Sequence, residues 1–146
     1  MNENNAYPLA CAYLEQIREA DRNVNRLRSR LFNLRMLTTD TSVHLTDMPH
    51  SGSPDQQKLA TLLAKIDELE RQIPEAEQAA RDIRYEVGNL IDEIPNEEAA
   101  LVMIHRYVDG KPWQQIISEI GFATTKTYAL HEKGLAALEE ILSRAS

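Results

Sequence analysis

The chain has 146 residues and a formal net charge of −7, with 42% apolar and only 5% aromatic residues. That length holds one domain, or a small domain with an extension, and the acidity by itself argues against a protein that coats nucleic acid non-specifically, because such binding rests on many Lys and Arg contacts to phosphate. The single cysteine, Cys11, excludes an internal disulfide framework and a thiolate metal cluster.

No apolar run approaches the ~20 residues that span a bilayer. The start, MNENNAYPLA, has no charged segment followed by an apolar one. The chain therefore reads as soluble and cytoplasmic, with no membrane partner. The acid is unevenly placed: residues 55–95 hold ten acidic and five basic groups, whereas residues 1–54 hold six of each. The five glycines are well separated, leaving long turn-free stretches that predict an all-α protein.

In chain order, Pro8 suits the first turn of a helix. Tyr13, Ile17, Ala20, Val24, Leu27, Leu31 and Leu34 then recur at alternating spacings of four and three, a heptad seam. Arg18, Arg22, Arg26, Arg28, Arg30 and Arg35 lie on the same helix. They can meet phosphate or form a solvated face with internal ion pairs, and the second reading is the commoner one.

Residues 38–54, TTDTSVHLTDMPHSGSP, are polar and rich in turn formers, which predicts a loop. Asp40, His44, Asp47 and His50 fall there, but their spacing matches no metal-ligand pattern. No metal or cofactor is expected.

The next helix opens at SPDQ, with Ser53 as cap, Pro54 at the first helical position and Gln56 completing a capping box. Its seam is Leu59, Leu62, Ile66, Leu69, Ile73, Ala76, Ala80, Ile83, Val87, Leu90 and Ile94. Pro74 interrupts it by removing a backbone donor, which predicts a kink or a break, although the seam keeps its phase on both sides. Two seamed helices joined by a loop predict a long antiparallel coiled-coil hairpin, and the longer seam can equally pair with a second copy as a homodimer.

Asn96 caps a third helix, with Glu97 and Glu98 well placed in its first turn. Leu101, Ile104 and Val108 form the expected buried stripe, and Asp109 to Pro112 a turn. Three helices, at about 97–108, 113–120 and 124–143, make a C-terminal unit. The expected organisation is a helical hairpin over 1–95, containing the loop 38–54, and a helix-turn-helix domain over 96–146.

A helix-turn-helix needs a short helix, a tight turn and a second helix that enters the major groove. Ile116, Ile117 and Ile120 bury the first helix, Gly121 supplies a residue free to take positive φ, and Phe122 plugs the space between. In the second helix Thr127, Leu130, Gly134, Leu138 and Ile141 form the inward face. Thr124, Thr125, Tyr128 and Ala129 face outward, with Lys126 beside them. These are residue types that contact bases and phosphates.

The run from Leu101 to Leu142, LVMIHRYVDGKPWQQIISEIGFATTKTYALHEKGLAALEEIL, resembles region 4 of sigma-70-type factors. The shared parts are RY before a glycine-containing turn, then W-x-x-I-x-x-x-I-G, then a helix ending H-x-x-x-L-x-x-L. With its long N-terminal seamed segment, the chain is similar to the RinA-like and ArpU-like late-gene activators of Gram-positive phages and prophages. The resemblance implies sequence-specific binding of double-stranded DNA, control of phage late genes in a bacterial host cell, and host RNA polymerase as a partner. It places DNA contacts at Thr124, Thr125, Lys126 and Tyr128, then His131 and Lys133, with Trp113 and Gln114 at the start of the preceding helix. Ala123 stands where the recognition helix usually carries Ser or Thr, which moves the expected cap to Thr124.

Each of these residues also has a plainer role. Trp113 can be a core anchor, Tyr128 a packing residue, and His105 and His131 structural. Adjacent carboxylates such as Asp67 and Glu68 do not face each other on a helix, and no phosphate-binding glycine loop occurs, so no catalytic residue and no enzyme activity are expected. Two further functions share the expected architecture. One is a small-terminase-like DNA-packaging adaptor; the other is an interaction module for RNA polymerase or a sigma factor.

Overall fold

The computed structural model describes residues 6–47 and 54–145, and among them it is all-α, without a strand. In chain order the elements are α1 (Pro8–Asp47), α2 (Pro54–Ile91), α3 (Glu97–Met103), a π-helical turn (Ile104–Val108), α4 (Trp113–Ile120) and α5 (Thr124–Ala145). No helix among the described residues is long and apolar enough to cross a membrane.

One element departs from expectation, and at another, one of the expected alternatives holds. α1 continues to Asp47, well into the stretch predicted as loop. There Thr38 Oγ1 donates to the Leu34 carbonyl at 2.9 Å and Thr39 Oγ1 to that of Arg35 at 3.1 Å. The hydroxyls are thus satisfied inside the helix rather than by a turn. Pro74 does not break α2, which is continuous around it. The proline is exposed, as is Glu70, whose carbonyl loses its helical partner, so water can take up that acceptor. Pro54 holds the first helical position as expected, whereas Ser53 and His50 lie outside the described residues.

The chain divides into two compact units, one of residues 20–80 and one of residues 1–19 with 81–146. In the hairpin unit, Leu27, Leu31 and Leu34 of α1 pack against Ile66, Leu69 and Ile73 of α2, all of them expected seam positions. Arg28 reaches Glu77 at 2.6 Å and Arg35 reaches Glu70 at 2.8 Å. As one residue number rises by seven the other falls by seven, so the two helices run antiparallel.

The second unit joins the ends of α1 and α2 to α3, α4 and α5. Ala10, Leu14, Ile17, Val87 and Ile91 share one core with Val102, Met103, Leu130, Leu135 and Leu138. The boundary expected at 95/96 therefore runs through this unit instead of around it. The start of α1 is held by a distant side chain: Glu139 of α5 accepts from the backbone N–H of Ala10 at 2.8 Å and of Leu9 at 3.2 Å. A carboxylate there satisfies donors that the helix leaves open and opposes the positive end of its dipole. Tyr7 adds a hydrogen bond to Glu132 at 3.3 Å.

α3 and α5 lie close together. A Cβ placed on Gly134 would stand 2.5 Å from Cγ and 2.8 Å from Sδ of Met103, which is fully buried. The glycine is a packing requirement, since neither atom is a free side-chain end. Gly88 of α2 has open space at the same position. Gly134→Val should lower unfolding stability by about 1–3 kcal/mol through overpacking. Gly88→Ala should raise it by roughly 0.5–1 kcal/mol through helix propensity alone. Urea midpoints moving in opposite directions at constant m-value would bear out both; an unchanged midpoint for Gly134→Val would show that Met103 can vacate the space.

Candidate nucleic-acid interface

The helix-turn-helix is set by its turn. Gly121 adopts φ +79°, and its N–H closes α4 on the Ile117 carbonyl at 3.1 Å. Only glycine takes this left-handed conformation at little cost. Ile116 is wholly buried, and Phe122 is half-buried between the helices. Asn96 caps α3 through its side-chain oxygen, which accepts from the Ala99 N–H at 3.1 Å, as expected.

Of the stripe expected on the third helix, Ile104 and Val108 pack half-buried against the core and Leu101 does not. Ala99, Val102 and Met103 are buried, whereas Leu101 is 44% exposed. α3 meets α5 with a different face, and the chain then widens into the π-helical turn, where the Asp109 N–H reaches the Ile104 carbonyl at 2.9 Å. The extra residue in that turn shifts the phase of everything after it. It delivers Arg106 and Tyr107 to the helix-turn-helix. The Arg106 guanidinium lies 4.8 Å over the Trp113 ring, and the Tyr107 hydroxyl is 2.7 Å from His131 Nε2.

Trp113 is the centre of this cluster. Its ring meets His131 edge-on at 4.7 Å and Tyr128 at 5.0 Å. His131 is only 4% exposed. It cannot face a duplex, and its place among the expected DNA contacts is corrected: it packs α5 against Tyr107 and Trp113. Sequence periodicity missed it because Thr127, Leu130, Gly134 and Leu138 already complete an inward face at helical spacing, which His131 and Leu135 broaden.

The remaining expected contacts divide by their surroundings. Thr124 and Thr125 are exposed at the start of α5, Gln114 is exposed at the start of α4, and Lys133 is exposed two turns into α5. Tyr128 is 45% exposed while leaning on Trp113. Lys126 is exposed but committed: its ammonium lies 3.1 Å from Glu98 and 4.0 Å above the Phe122 ring. Glu98 carries no sequence signal for this role, because it lies on another helix, far away in the chain. The cap expected at Thr124 is also corrected. Thr124 is already helical, and the Ala123 carbonyl accepts the first helical bond from Thr127 at 3.0 Å. Ala123 has no side-chain acceptor to offer the first turn.

The electrostatics are nearly self-compensated. Of the five basic side chains between 96 and 146, Lys111, Lys126 and Arg144 each have a carboxylate partner and Arg106 covers Trp113. Lys111 braces the turn before α4, reaching Glu119 at 2.7 Å and His105 Nδ1 at 2.8 Å. The hydrogen bond from Lys111, with a second from Gln115, holds the Glu119 carboxyl below its ordinary range. No group of three or more potential metal ligands occurs among the described residues. No protein-family model, curated protein or solved structure matches the chain.

Two measurements test this account. Lys111→Met should return the Glu119 carboxyl toward ordinary values in an NMR pH titration. In the wild type, a carboxylate depressed on folding stabilises above its unfolded pKa, and that contribution is lost as pH falls through the folded pKa. The acid limb of the stability curve should therefore flatten in the variant; a superimposable limb would exclude Glu119 as its source. Tyr107→Phe removes the partner 2.7 Å from a buried imidazole nitrogen and should cost about 1–3 kcal/mol, read from chemical denaturation.

Proposed function

We propose that the chain is a sequence-specific DNA-binding transcription regulator in which α5 is the groove-facing helix. The observation that carries this reading is the short turn from α4 to α5, fixed by a left-handed Gly121, with both helices packed into one core with α3. That arrangement leaves the start of α5 outward. Along the side opposite its buried residues stand Thr125, Ala129 and Ala136, all exposed. Small side chains there admit close approach to base edges, Thr125 can pair with either a base or a phosphate, and Lys133 lies on the same side.

The resemblance to RinA-like and ArpU-like activators supports a narrower reading. In that reading the chain activates phage or prophage late genes, with host RNA polymerase as partner and the hairpin setting dimer geometry. With so few uncommitted cations, one copy binds weakly, and two copies on paired half-sites supply the missing affinity.

A second reading has its own support. Lys111, Lys126 and Arg144 are spent on internal ion pairs, which suits a unit that docks on protein such as polymerase or a sigma factor. A packaging adaptor differs from both in mass, since it requires a ring of copies in place of a monomer or dimer.

Selection of binding sites from fragmented host and prophage DNA separates these readings. Thr125→Glu is the appropriate variant, because it places a carboxylate on the outward face and leaves the packing of α5 intact. Lys126→Glu would instead set two carboxylates together at Glu98. The wild type should enrich a few fragments upstream of late genes, and Thr125→Glu should lose them. If neither protein enriches DNA, the interaction module takes precedence.

A further inference from the structure

The two edges of the hairpin unit are chemically different. With Leu27, Leu31, Leu34, Ile66, Leu69 and Ile73 as seam positions a and d, the e positions Arg28 and Arg35 face Glu77 and Glu70 and pair with them. Such flanking pairs ordinarily close both sides of a coiled coil. The opposite edge carries Asn23, Arg30 and Leu37 from α1 and Lys65, Gln72 and Ala79 from α2 at the g positions, with no carboxylate.

On that edge the two helices enclose an open groove of about 430 Å³. Arg26 and Arg30, one turn apart on α1, and Lys65 on α2 line it, against the single carboxylate of Glu68. Glu68 is 3.7 Å from Lys65, and both are about half exposed, so the pair is weak. Arg26 donates to the neutral Asn23 side chain at 2.9 Å. Among the described residues no carboxylate lies within ion-pairing distance of Arg30. Two like charges at i and i+4 destabilise a helix, and an anion in the groove would relieve that repulsion.

We propose that this groove binds the phosphate backbone of duplex DNA, as a sequence-independent contact separate from α5. The other groove residues, Ser29, Asn33 and Gln72, belong with Arg and Lys to the set that contacts phosphate. Arg26 to Asn33 spans two turns, roughly 10 Å of helix. That length reaches about two to three successive phosphates of one strand, which climbs roughly 3.4 Å of axis per phosphate while winding around it. No aromatic side chain lines the groove, and single-strand binding relies on aromatic platforms for base stacking, so a duplex is the favoured occupant. The inference does not depend on α5 reading sequence.

The test is fluorescence anisotropy of the full chain with a mixed-sequence duplex lacking any selected site, across ~50–200 mM salt. The triple variant Arg26→Gln, Arg30→Gln, Lys65→Gln should bind at least about tenfold more weakly at low salt. Its slope of log K against log salt should be shallower by roughly 2–3, about 0.9 for each phosphate left without a cation. Arg28→Gln with Arg35→Gln removes charge from the opposite edge and should leave the slope as it is. Site selection with Thr125→Glu reports on α5, whereas this slope is read on a duplex without a selected site, so failure of the α5 reading and failure of this one are told apart. Equal slopes for wild type and triple variant, or an equal weakening from the opposite edge, would overturn the proposal. So would tighter binding of single-stranded DNA than of duplex, or complete competition by millimolar inorganic phosphate.

Discussion

The C-terminal unit rests on one constraint: its short helices cannot bury themselves. α3 has 7 residues and α4 has 8, and isolated helices shorter than about 12–15 residues are marginal in water. Their order comes from a core closed by the ends of the hairpin helices, Ala10, Leu14 and Ile17 on one and Val87 and Ile91 on the other. Glu139 adds to this by capping α1 from α5, so the same helix that presents the outward face also anchors the start of the chain. The ends of the hairpin helices are therefore structural parts of the helix-turn-helix unit.

Heptad spacing made the hairpin legible because a seam is a local pattern with a single period. Leu27, Leu31, Leu34, Ile66, Leu69 and Ile73 all fall where the spacing predicts. Gly121 was legible for a similar reason, as a turn residue between two apolar stripes. What stayed hidden is what depends on distant partners. The 95/96 boundary failed because Leu14 and Ile17 look like ordinary seam residues until α3 and α5 are set beside them. Of the stripe Leu101, Ile104 and Val108 only Leu101 is exposed, because α3 turns Ala99, Val102 and Met103 inward against its distant partners. Lys126 reads as a free cation because nothing in its sequence neighbourhood points to Glu98.

The residues that carry the family resemblance prove to be structural. Arg106 and Tyr107 of the RY pair, Trp113 and His131 converge on one aromatic cluster that fixes α4 against α5. The residues facing outward, Thr124, Thr125 and Ala129, are outside the shared motif. The likeness thus bears on how the helices are held and not on which side chains face outward. Specificity, in the proposed function, belongs to side chains that the motif leaves free to vary. Affinity is a separate matter, because internal ion pairs occupy most of the basic groups near α5.

The cap on α1 has a consequence for the order of assembly. The hairpin pairs Arg35–Glu70 and Arg28–Glu77 close over 35 and 49 residues, whereas the Ala10–Glu139 contact closes over 129. Loop-closure entropy rises slowly with length, by about 0.6 kcal/mol for each doubling, so direct closure of the longest loop is disfavoured by roughly 1 kcal/mol relative to the hairpin. Pairing α1 with α2 first shortens the loop left to close. During synthesis the donors at Leu9 and Ala10 emerge early, but their acceptor arrives only with the last helix. The hairpin can zip while the chain is still being made, and the helix-turn-helix unit locks later.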